Sequence, residues 1–202
     1  MALRLNVGSG GRPKAGYVNI DQDSLDDLRK RYPQRSYSDD IEIFNYDIFN
    51  LPYEDASVDE VNADGLLEHL SFKQEPVFLR EMSRVLRLGG ILKISVPDFD
   101  ATCRAWLDAE DDWQDFYSDS DEAIAEEHWF GTYTYDYKNR WGYLMATFFG
   151  SQNGDGQYHK NAYTEQKFRK MLPKVGLGSI TVEKFRWQGD RDHMLAVSAV
   201  KM

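Results

Sequence analysis

The stretch LRLNVGSGGRPKAGYVNID, residues 3–21, places a glycine-rich turn between two short apolar segments. Leu3–Val7 and Tyr17–Ile20 are predicted strands, and the second is followed by Asp21. Glycines directly after a strand let a ligand approach the backbone closely, because no Cβ stands in the way. A carboxylate at the end of the second strand can accept hydrogen bonds from two ribose hydroxyls. Together these features predict a nucleoside site at the start of an α/β sheet.

The spacing within this stretch argues against a dinucleotide site. A dinucleotide fingerprint needs G-x-G-x-x-G at the start of a helix, and Pro13 stands where the third glycine is required. Only the five residues RPKAG separate Gly11 from Tyr17, which is less than two turns of helix. The chain therefore has no room for the crossover helix whose amino terminus would bind a pyrophosphate.

Predicted strands and helices alternate through the first hundred residues, as in a parallel sheet with helices packed on its faces. Ser24 is the predicted N-cap of a helix over Ser24–Tyr32. A second helix starts from a capping-box pattern at Ser71 and Gln74, carries Phe78, Met82, Val85 and Leu86 on one apolar face, and ends at Gly89-Gly90. The other predicted elements are strands at Ile41–Tyr46, Val58–Ala63 and Ile91–Val96, a helix capped by Thr164 and shortened by Pro173, and a final antiparallel pair, Ser179–Phe185 and His193–Val200.

Residues 99–162 interrupt this alternation with an aromatic-rich segment, which shows neither helix nor strand periodicity between Trp129 and Tyr163. We expect one domain over residues 1–202, with 99–162 as an insertion that covers the carboxyl end of the sheet and forms the acceptor side. Because RPKAG replaces a helix, the ligand is expected to lie unusually open and to be covered chiefly by this insertion.

The order of LNVGSGG, VNID, FNYDIFNLPYEDASVDEV, LLEHL and LREMSRVLRLGGILKISVPD resembles the class I S-adenosylmethionine-dependent methyltransferases. It is most similar to the bacterial and phage, type 11-like branch that opens with NxGxGxxPxxGxxNxD. The resemblance implies a doubly wound, Rossmann-like, mostly parallel seven-stranded sheet with an antiparallel edge strand and an insertion after the fifth strand. It also implies that S-adenosylmethionine is the cofactor.

The resemblance further implies a role for individual residues. The glycine turn is expected under the methionine and amino groups of the cofactor, Asp21 on the ribose, Asp47 and the Ile48 backbone on the adenine, and Asp64 near the sulfonium. The predicted cofactor-binding residues are Asn6, Gly8, Ser9, Gly10, Asp21, Asp47, Ile48 and Asp64.

Methyl transfer from a sulfonium is an in-line displacement, so positioning is the main task of the protein. A base is needed only where the acceptor must lose a proton. His159 is the first candidate base, followed by Asp98 and His69. The predicted function is methylation of a small-molecule or glycan-precursor acceptor. The alternative is a binding or regulatory protein that keeps the fold and transfers nothing.

Composition narrows the partners and the compartment. The net charge of −10 and the isoelectric point near 4.9 disfavour binding to nucleic acid. No apolar run reaches the roughly 18 residues of a membrane helix, and the single cysteine, Cys103, excludes an intrachain disulfide. A cytoplasmic protein without membrane partners is expected, and the sequence leaves the oligomeric state open. The histidines, including His128 after Glu126-Glu127, lack metal-ligand spacing, so no metal site is predicted.

Overall fold

The computed structural model describes residues 2–33, 35–38, 41–109, 143–152, 156–187 and 192–202. Within these ranges, seven strands form one mixed sheet in the order β3-β2-β1-β4-β5-β7-β6. The strands are β1 Arg4–Val7, β2 Val18–Ile20, β3 Ile43–Phe44, β4 Val58–Asp64, β5 Leu86–Pro97, β6 Leu177–Trp187 and β7 Asp192–Lys201. The α-helices are α1 Leu25–Arg31, α2 Gln74–Val85, α3 Phe99–Asp108, α4 Tyr143–Phe149 and α5 Glu165–Met171, and short 3₁₀ helices cover Leu67–His69 and Leu172–Val175.

Strands β1 to β5 pair in parallel, and β7 runs antiparallel to both β5 and β6. This is the predicted seven-stranded, mostly parallel sheet with its antiparallel pair at one edge. The carboxyl ends of β1, β2, β4 and β5 therefore lie along the same rim, where doubly wound sheets bind ligands. The apolar core lies between the sheet and its helices and includes Leu5, Ile20, Phe78, Leu92 and Phe168, all fully buried.

The local signals predicted the N-caps of two helices correctly and the capping-box bonds just before a third. The Ser24 Oγ accepts a hydrogen bond from the Asp27 N–H at the start of α1, and Thr164 caps α5 in the same way through Lys167. The Ser71 and Gln74 side chains exchange the two bonds of a capping box before α2. Pro173 follows the end of α5, where the chain continues as a 3₁₀ helix.

The predicted end of α2 at Gly89-Gly90 is wrong. The helix ends at Val85, and Leu86 already pairs with Val58 as the first residue of β5. The pairing then jumps from Val58 and Leu86 to Glu60 and Ile91, which leaves the glycines inside a bulge. Gly89 has a φ of +77°, and a Cβ on Gly90 would lie 2.9 Å from the Arg87 carbonyl oxygen. The glycines therefore serve the bulge and not the helix end.

Two further elements differ from their predicted extent. The third strand is limited to Ile43–Phe44, because only two residues of the short neighbouring strand β2 pair with it. Helix α4 lies in the segment whose sequence shows no periodicity, and its Phe148 ring packs edge-on against Phe99 of α3 at 5.6 Å. Residues 110–142, between α3 and α4, are not among those that the structure describes. The predicted cover over the cofactor therefore lies largely outside the described residues.

Candidate functional site

A glycine turn follows β1 at the rim of the sheet. Gly8 and Gly10 have φ angles of +65° and +50°, a conformation that favours glycine. A Cβ on Gly8 would lie 2.8 Å from the Leu66 Cδ1 atom, whereas one on Gly10 would meet nothing closer than 3.9 Å. Gly8 is therefore in close contact with Leu66, whereas there is open space next to Gly10.

We predict that Gly8→Ala lowers the free energy of unfolding by about 2 kcal/mol, from left-handed backbone strain and from overlap with Leu66. Gly16→Ala is the matched control, because Gly16 shares the positive φ, at +77°, but a Cβ there would have no atom within 4 Å. Gly16→Ala should cost about 1 kcal/mol. Urea unfolding followed by circular dichroism measures both values. Equal losses for the two variants would contradict close packing beneath Gly8.

Three buried asparagines hold this turn in place. Asn19, Asn6 and Asn62 are register partners on the adjacent strands β2, β1 and β4. The Asn6 amide donates to Asn19 Oδ1 at 2.9 Å, and the Asn62 amide donates to Asn6 Oδ1 at 2.8 Å. The two ends of the loop join this ladder, since Asn6 also donates to the Arg12 carbonyl and the Lys14 N–H donates to Asn19. The structure therefore places Asn6 beneath the glycine turn as part of its scaffold.

Asp21 closes the turn from the second strand. Its carboxylate accepts hydrogen bonds from the Gly10 N–H at 2.7 Å and from the Asp23 N–H at 3.0 Å. Burial raises the pKa of the Asp21 carboxyl, while the N–H groups of Asp23 and Gly10 act in the opposite direction. The neighbouring Ser9 Oγ is buried and has no hydrogen-bond partner among the described residues. Such an orphaned hydroxyl beside a carboxylate is typical of a site that a polar ligand completes.

The predicted adenine side of the site is held by β3 and the loop after it. Asp47 is exposed, and its carboxylate accepts a hydrogen bond from the Phe49 N–H at 2.8 Å. Ile48 is half-buried and packs against the core. Asp47 therefore shapes the turn in which the Ile48 backbone lies, on the same rim as Asp21.

Asp64, the last residue of β4, contacts Arg12 from the glycine loop. The Arg12 Nη1 atom lies 3.4 Å from the Asp64 Oδ2 atom, and both side chains are part-exposed. Burial lowers the pKa of Arg12, and the Asp64 carboxylate partly offsets this effect. The ion pair joins the loop after β1 to the end of β4, where the resemblance places the sulfonium.

Glu68 and His69 follow β4 in a 3₁₀ helix, and the chain from 158 to 161 packs against them. The Glu68 carbonyl accepts from the Lys160 and Asn161 N–H groups. The Glu68 side chain is buried, which raises its pKa to about 8, and the nearby Asp64 carboxylate acts in the same direction. Its Oε2 atom is buried and has no hydrogen-bond partner in the described part of the chain.

The two predicted histidines meet at this point. The rings of His69 and His159 contact each other edge-to-face, with centroids 4.8 Å apart. The Nδ1 of His69 lies 3.1 Å from the Tyr158 carbonyl oxygen, and the Nδ1 of His159 lies 2.7 Å from that of Thr147. Burial, together with the neighbouring His159 and Lys160, lowers the pKa of His69 to about 4, so His69 is neutral at pH 7.

Asp98, the third predicted catalytic residue, is the N-cap of α3. Its buried carboxylate accepts from the Ala101 N–H and lies 3.3 Å from the Lys184 Nζ atom.

A pocket of about 290 Å³, partly open to solvent, adjoins helix α3. Its lining comprises Glu68, Pro97, Phe99, Thr102, Thr147, Phe148, His159, Asn161, Ala162 and Tyr163. Of the three predicted catalytic residues, His159 lines this pocket, while His69 contacts His159 and Asp98 lies beside Pro97 and Phe99.

Several known proteins are similar to this chain in sequence or in fold. Residues 9–94 match the sequence model of a family described as a methyltransferase domain. Two proteins of Mycobacterium tuberculosis, each described as a probable S-adenosylmethionine-dependent methyltransferase, are 36% identical to this chain over 81 residues. These matches support a class I S-adenosylmethionine-dependent methyltransferase. The aligned part is 40% of this chain and 27% of each relative, so the match spans about a quarter of their length.

Solved methyltransferases share the fold of this domain. A S-adenosylmethionine-dependent methyltransferase from Archaeoglobus fulgidus has a TM-score of 0.59 at 12% identity, covering 99% of this chain and 86% of that one. The 1,6-didemethyltoxoflavin-N1-methyltransferase of Burkholderia thailandensis, solved with 1,6-didemethyltoxoflavin and S-adenosylhomocysteine, has a TM-score of 0.57 at 14% identity. That comparison covers 100% of this chain and 71% of the enzyme from Burkholderia. At 12–14% sequence identity, the structural similarity to these proteins establishes the fold alone.

Sequence reasoning missed several residues of this methyltransferase domain. Arg12 was passed over because its partner Asp64 lies on another strand, 52 positions away. No sequence pattern marks Glu68, and only the fold shows its carboxylate buried in the pocket wall. The one available signal was the strand position of the asparagines, since Asn6, Asn19 and Asn62 each interrupt an apolar strand. His128 and its acidic neighbours lie outside the described residues.

Proposed function

We propose that this chain transfers a methyl group from S-adenosylmethionine to a small-molecule or glycan-precursor acceptor. The observation that carries the proposal is the continuity of two sites along one rim. The glycine turn packs on Leu66, and Arg12 pairs with Asp64. Glu68, a few residues further along the chain, lines the neighbouring pocket. A methyl donor over the turn and an acceptor in the pocket would thus meet near Asp64.

The donor side supports S-adenosylmethionine. Gly10 leaves open space above the turn, Ser9 carries an unsatisfied buried hydroxyl, and Asp21 offers a carboxylate for the ribose hydroxyls. In this proposal Asp47 and the Ile48 backbone contact the adenine, and Asp64 lies near the sulfonium. The short loop after β1 supports a nucleoside over a dinucleotide, because it contains no helix that could bind a pyrophosphate.

The acceptor side supports a compact polar molecule. The wall of the pocket combines aromatic rings with the polar side chains of Glu68, Thr102, His159 and Asn161. The net charge of −10 disfavours a nucleic-acid acceptor. The related enzyme from Burkholderia is described with a small molecule bound. No helix in the described part of the chain has the length and hydrophobicity to cross a bilayer, and we place the reaction in the cytoplasm.

The reaction requires alignment more than acid–base chemistry. A lone pair on the acceptor forms a bond to the methyl carbon while the carbon–sulfur bond breaks, and its electrons remain on sulfur in S-adenosylhomocysteine. An acceptor hydroxyl also loses a proton. We assign His159 as the residue that receives it, because His159 lines the pocket and its Nδ1 is directed to a carbonyl, which leaves Nε2 as the basic nitrogen. His69 and Asp98 then position His159 and helix α3.

Calorimetry and a turnover assay test the proposal together. S-adenosylmethionine and S-adenosylhomocysteine are expected to bind with a Kd below about 1 mM. Release of S-adenosylhomocysteine is then measured over a panel of sugars, nucleotide sugars and small aromatic amines or alcohols. Folded protein that binds neither nucleoside would overturn the proposal. Binding without methyl transfer to any panel member would favour the alternative, a binding or regulatory protein with this fold.

A further inference from the structure

Glu68, His69 and His159 form a compact group of side chains beside the acceptor pocket. One potential ligand atom from each residue, a carboxylate oxygen or an imidazole nitrogen, lies within 4.8 Å of the other two. Glu68 and His69 belong to the 3₁₀ helix after β4, and His159 comes from the segment that bridges to Gly150. The group is thus assembled from two distant parts of the chain, which is why no ligand spacing is visible in the sequence.

The histidines are oriented in the way that metal-bound imidazoles are. A carbonyl oxygen can only accept a hydrogen bond, so the Nδ1 atoms facing Tyr158 and Thr147 carry the ring protons. In a neutral imidazole of this tautomer, the Nε2 atom has the lone pair that can bind a metal ion. Histidine ligands almost always donate their other N–H to a carbonyl or carboxylate, which fixes the tautomer and the ring orientation.

Glu68 provides a second and independent observation. Its side chain is 5% exposed and lines the acceptor pocket, and its Oε2 atom is buried without a hydrogen-bond partner in the described part of the chain. Buried carboxylate oxygens are normally paired, protonated or bound to a metal. A metal ion would provide the missing partner of the Glu68 oxygen, and both histidines offer a ligand atom close enough to share that ion.

We propose that Glu68, His69 and His159 bind a divalent first-row transition-metal ion. Two imidazoles and one carboxylate suit Zn²⁺, Mn²⁺, Fe²⁺ or Co²⁺, whereas Mg²⁺ and Ca²⁺ prefer a shell of oxygen atoms. In a tetrahedral site, two ligands at about 2.1 Å from the ion lie about 3.4 Å apart. The ligand atoms, within 4.8 Å of one another, need to close by up to about 1.4 Å, which side-chain rotation can provide.

The ion would act on the acceptor of the proposed function. Three protein ligands leave coordination positions open, and the pocket lined by Glu68 and His159 lies next to them. An acceptor hydroxyl bound there releases its proton to water more readily, because the ion stabilises the alkoxide. In the metal-bound enzyme His159 is a ligand, and the ion takes over the activation of the acceptor. This role rests on the proposed function, but metal binding itself does not.

Cobalt titration of the whole chain tests the site without cofactor or acceptor. Co²⁺ is added to protein treated with chelator, and its visible ligand-field absorption is followed, with Mg²⁺ as a competitor that should not displace it. Glu68→Gln and His159→Gln should each weaken Co²⁺ binding by about tenfold or more. The matched controls are Glu183→Gln on the exposed face of β6 and His193→Gln on β7, both outside the group. Each control should bind Co²⁺ as the wild-type protein does.

The outcomes separate this inference from the proposed function. A wild-type protein that shows no Co²⁺ absorption, or site variants that bind as tightly as their controls, would overturn the metal site even if methyl transfer is measured. Conversely, Co²⁺ binding that depends on Glu68 and His159 supports the site even if no acceptor is found. Circular dichroism and thermal melting of each variant distinguish loss of ligands from loss of folding. For a variant that does not fold, the metal content of the wild-type protein as purified, measured by mass spectrometry, decides the question.

Discussion

Replacing Asp21 with alanine is expected to weaken S-adenosylhomocysteine binding by about 100-fold or more. Each hydrogen bond to a charged group contributes about 1.5–3 kcal/mol, and two ribose hydroxyls would lose the same carboxylate. The loss is enlarged because Asp21 also accepts from the Gly10 N–H at 2.7 Å and from the Asp23 N–H. Without these bonds the glycine turn keeps the bond from the Ser9 N–H to the Ile20 carbonyl but loses its attachment at Gly10. Isothermal titration with S-adenosylhomocysteine measures the change.

Two further variants give this prediction its controls. Asp26→Ala removes a carboxylate from the first turn of α1, where the side chain is largely exposed, and should leave the affinity unchanged. Asp21→Glu keeps the charge but displaces it by one methylene, so an intermediate affinity is expected. The assignment of Asp21 to the ribose is wrong if Asp21→Ala is folded and binds within about threefold of the wild-type protein, well short of the loss of even one charged hydrogen bond.

Gly150→Ala is expected to lower methyl transfer by about 100-fold while cofactor affinity stays unchanged. Gly150 has a φ of +81°, and a Cβ there would lie 1.9 Å from the Gln157 carbonyl oxygen and 2.9 Å from the His159 nitrogen. To relieve this overlap, the backbone that carries His159 must move by about 1 Å, a displacement that can cost on the order of 100-fold in rate. The bridge between Gly150 and Tyr158 and the bond from the His159 N–H to the Phe149 carbonyl would be disturbed together.

The control for this variant is again Gly16→Ala, which shares the left-handed backbone strain without an overlap. Rates of S-adenosylhomocysteine release, once an acceptor is known, and cofactor affinities are measured for both variants. The two variants should differ in the rate of S-adenosylhomocysteine release and should bind the cofactor with equal affinity. A Gly150→Ala protein with wild-type turnover would show that the segment carrying His159 has no part in acceptor methylation.

Much of the fold could be predicted because its determinants are local. The caps at Ser24 and Thr164 were correct, since a side-chain oxygen and an N–H group three residues later suffice to start a helix. The capping-box bonds of Ser71 and Gln74 also form, but they close the turn before α2, whose N-cap is Lys73. The absence of a helix between β1 and β2 was also correct, because five residues cannot form one. The end of α2 could not be predicted in this way. Pairing of Leu86 with Val58, 28 positions away, outweighed the preference of Gly89-Gly90 for a helix end.

The donor side of the candidate site was more predictable than the acceptor side. Asp21 and Asp64 stand at strand ends, and parallel strands bring those ends to one rim without further information. Asn6 belongs to the same motif, yet its strand register directs its amide to Asn19 and Asn62 beneath the turn. His159 could be named a candidate, but its contact with His69, 90 positions earlier, depends on how the chain returns from the insertion.

The sequence by itself determined the alternation of strands and helices as far as β5, the starts of α1 and α5, and the absence of a helix from the turn after β1. These properties follow from residues within a few positions of one another, where spacing and capping chemistry act directly. Only the tertiary structure decided the asparagine ladder under the turn and the meeting of Glu68, His69 and His159 beside the pocket. The physical reason is that strand register and burial join distant residues. A carboxylate acquires a raised pKa and an unpartnered oxygen only when the folded chain encloses it.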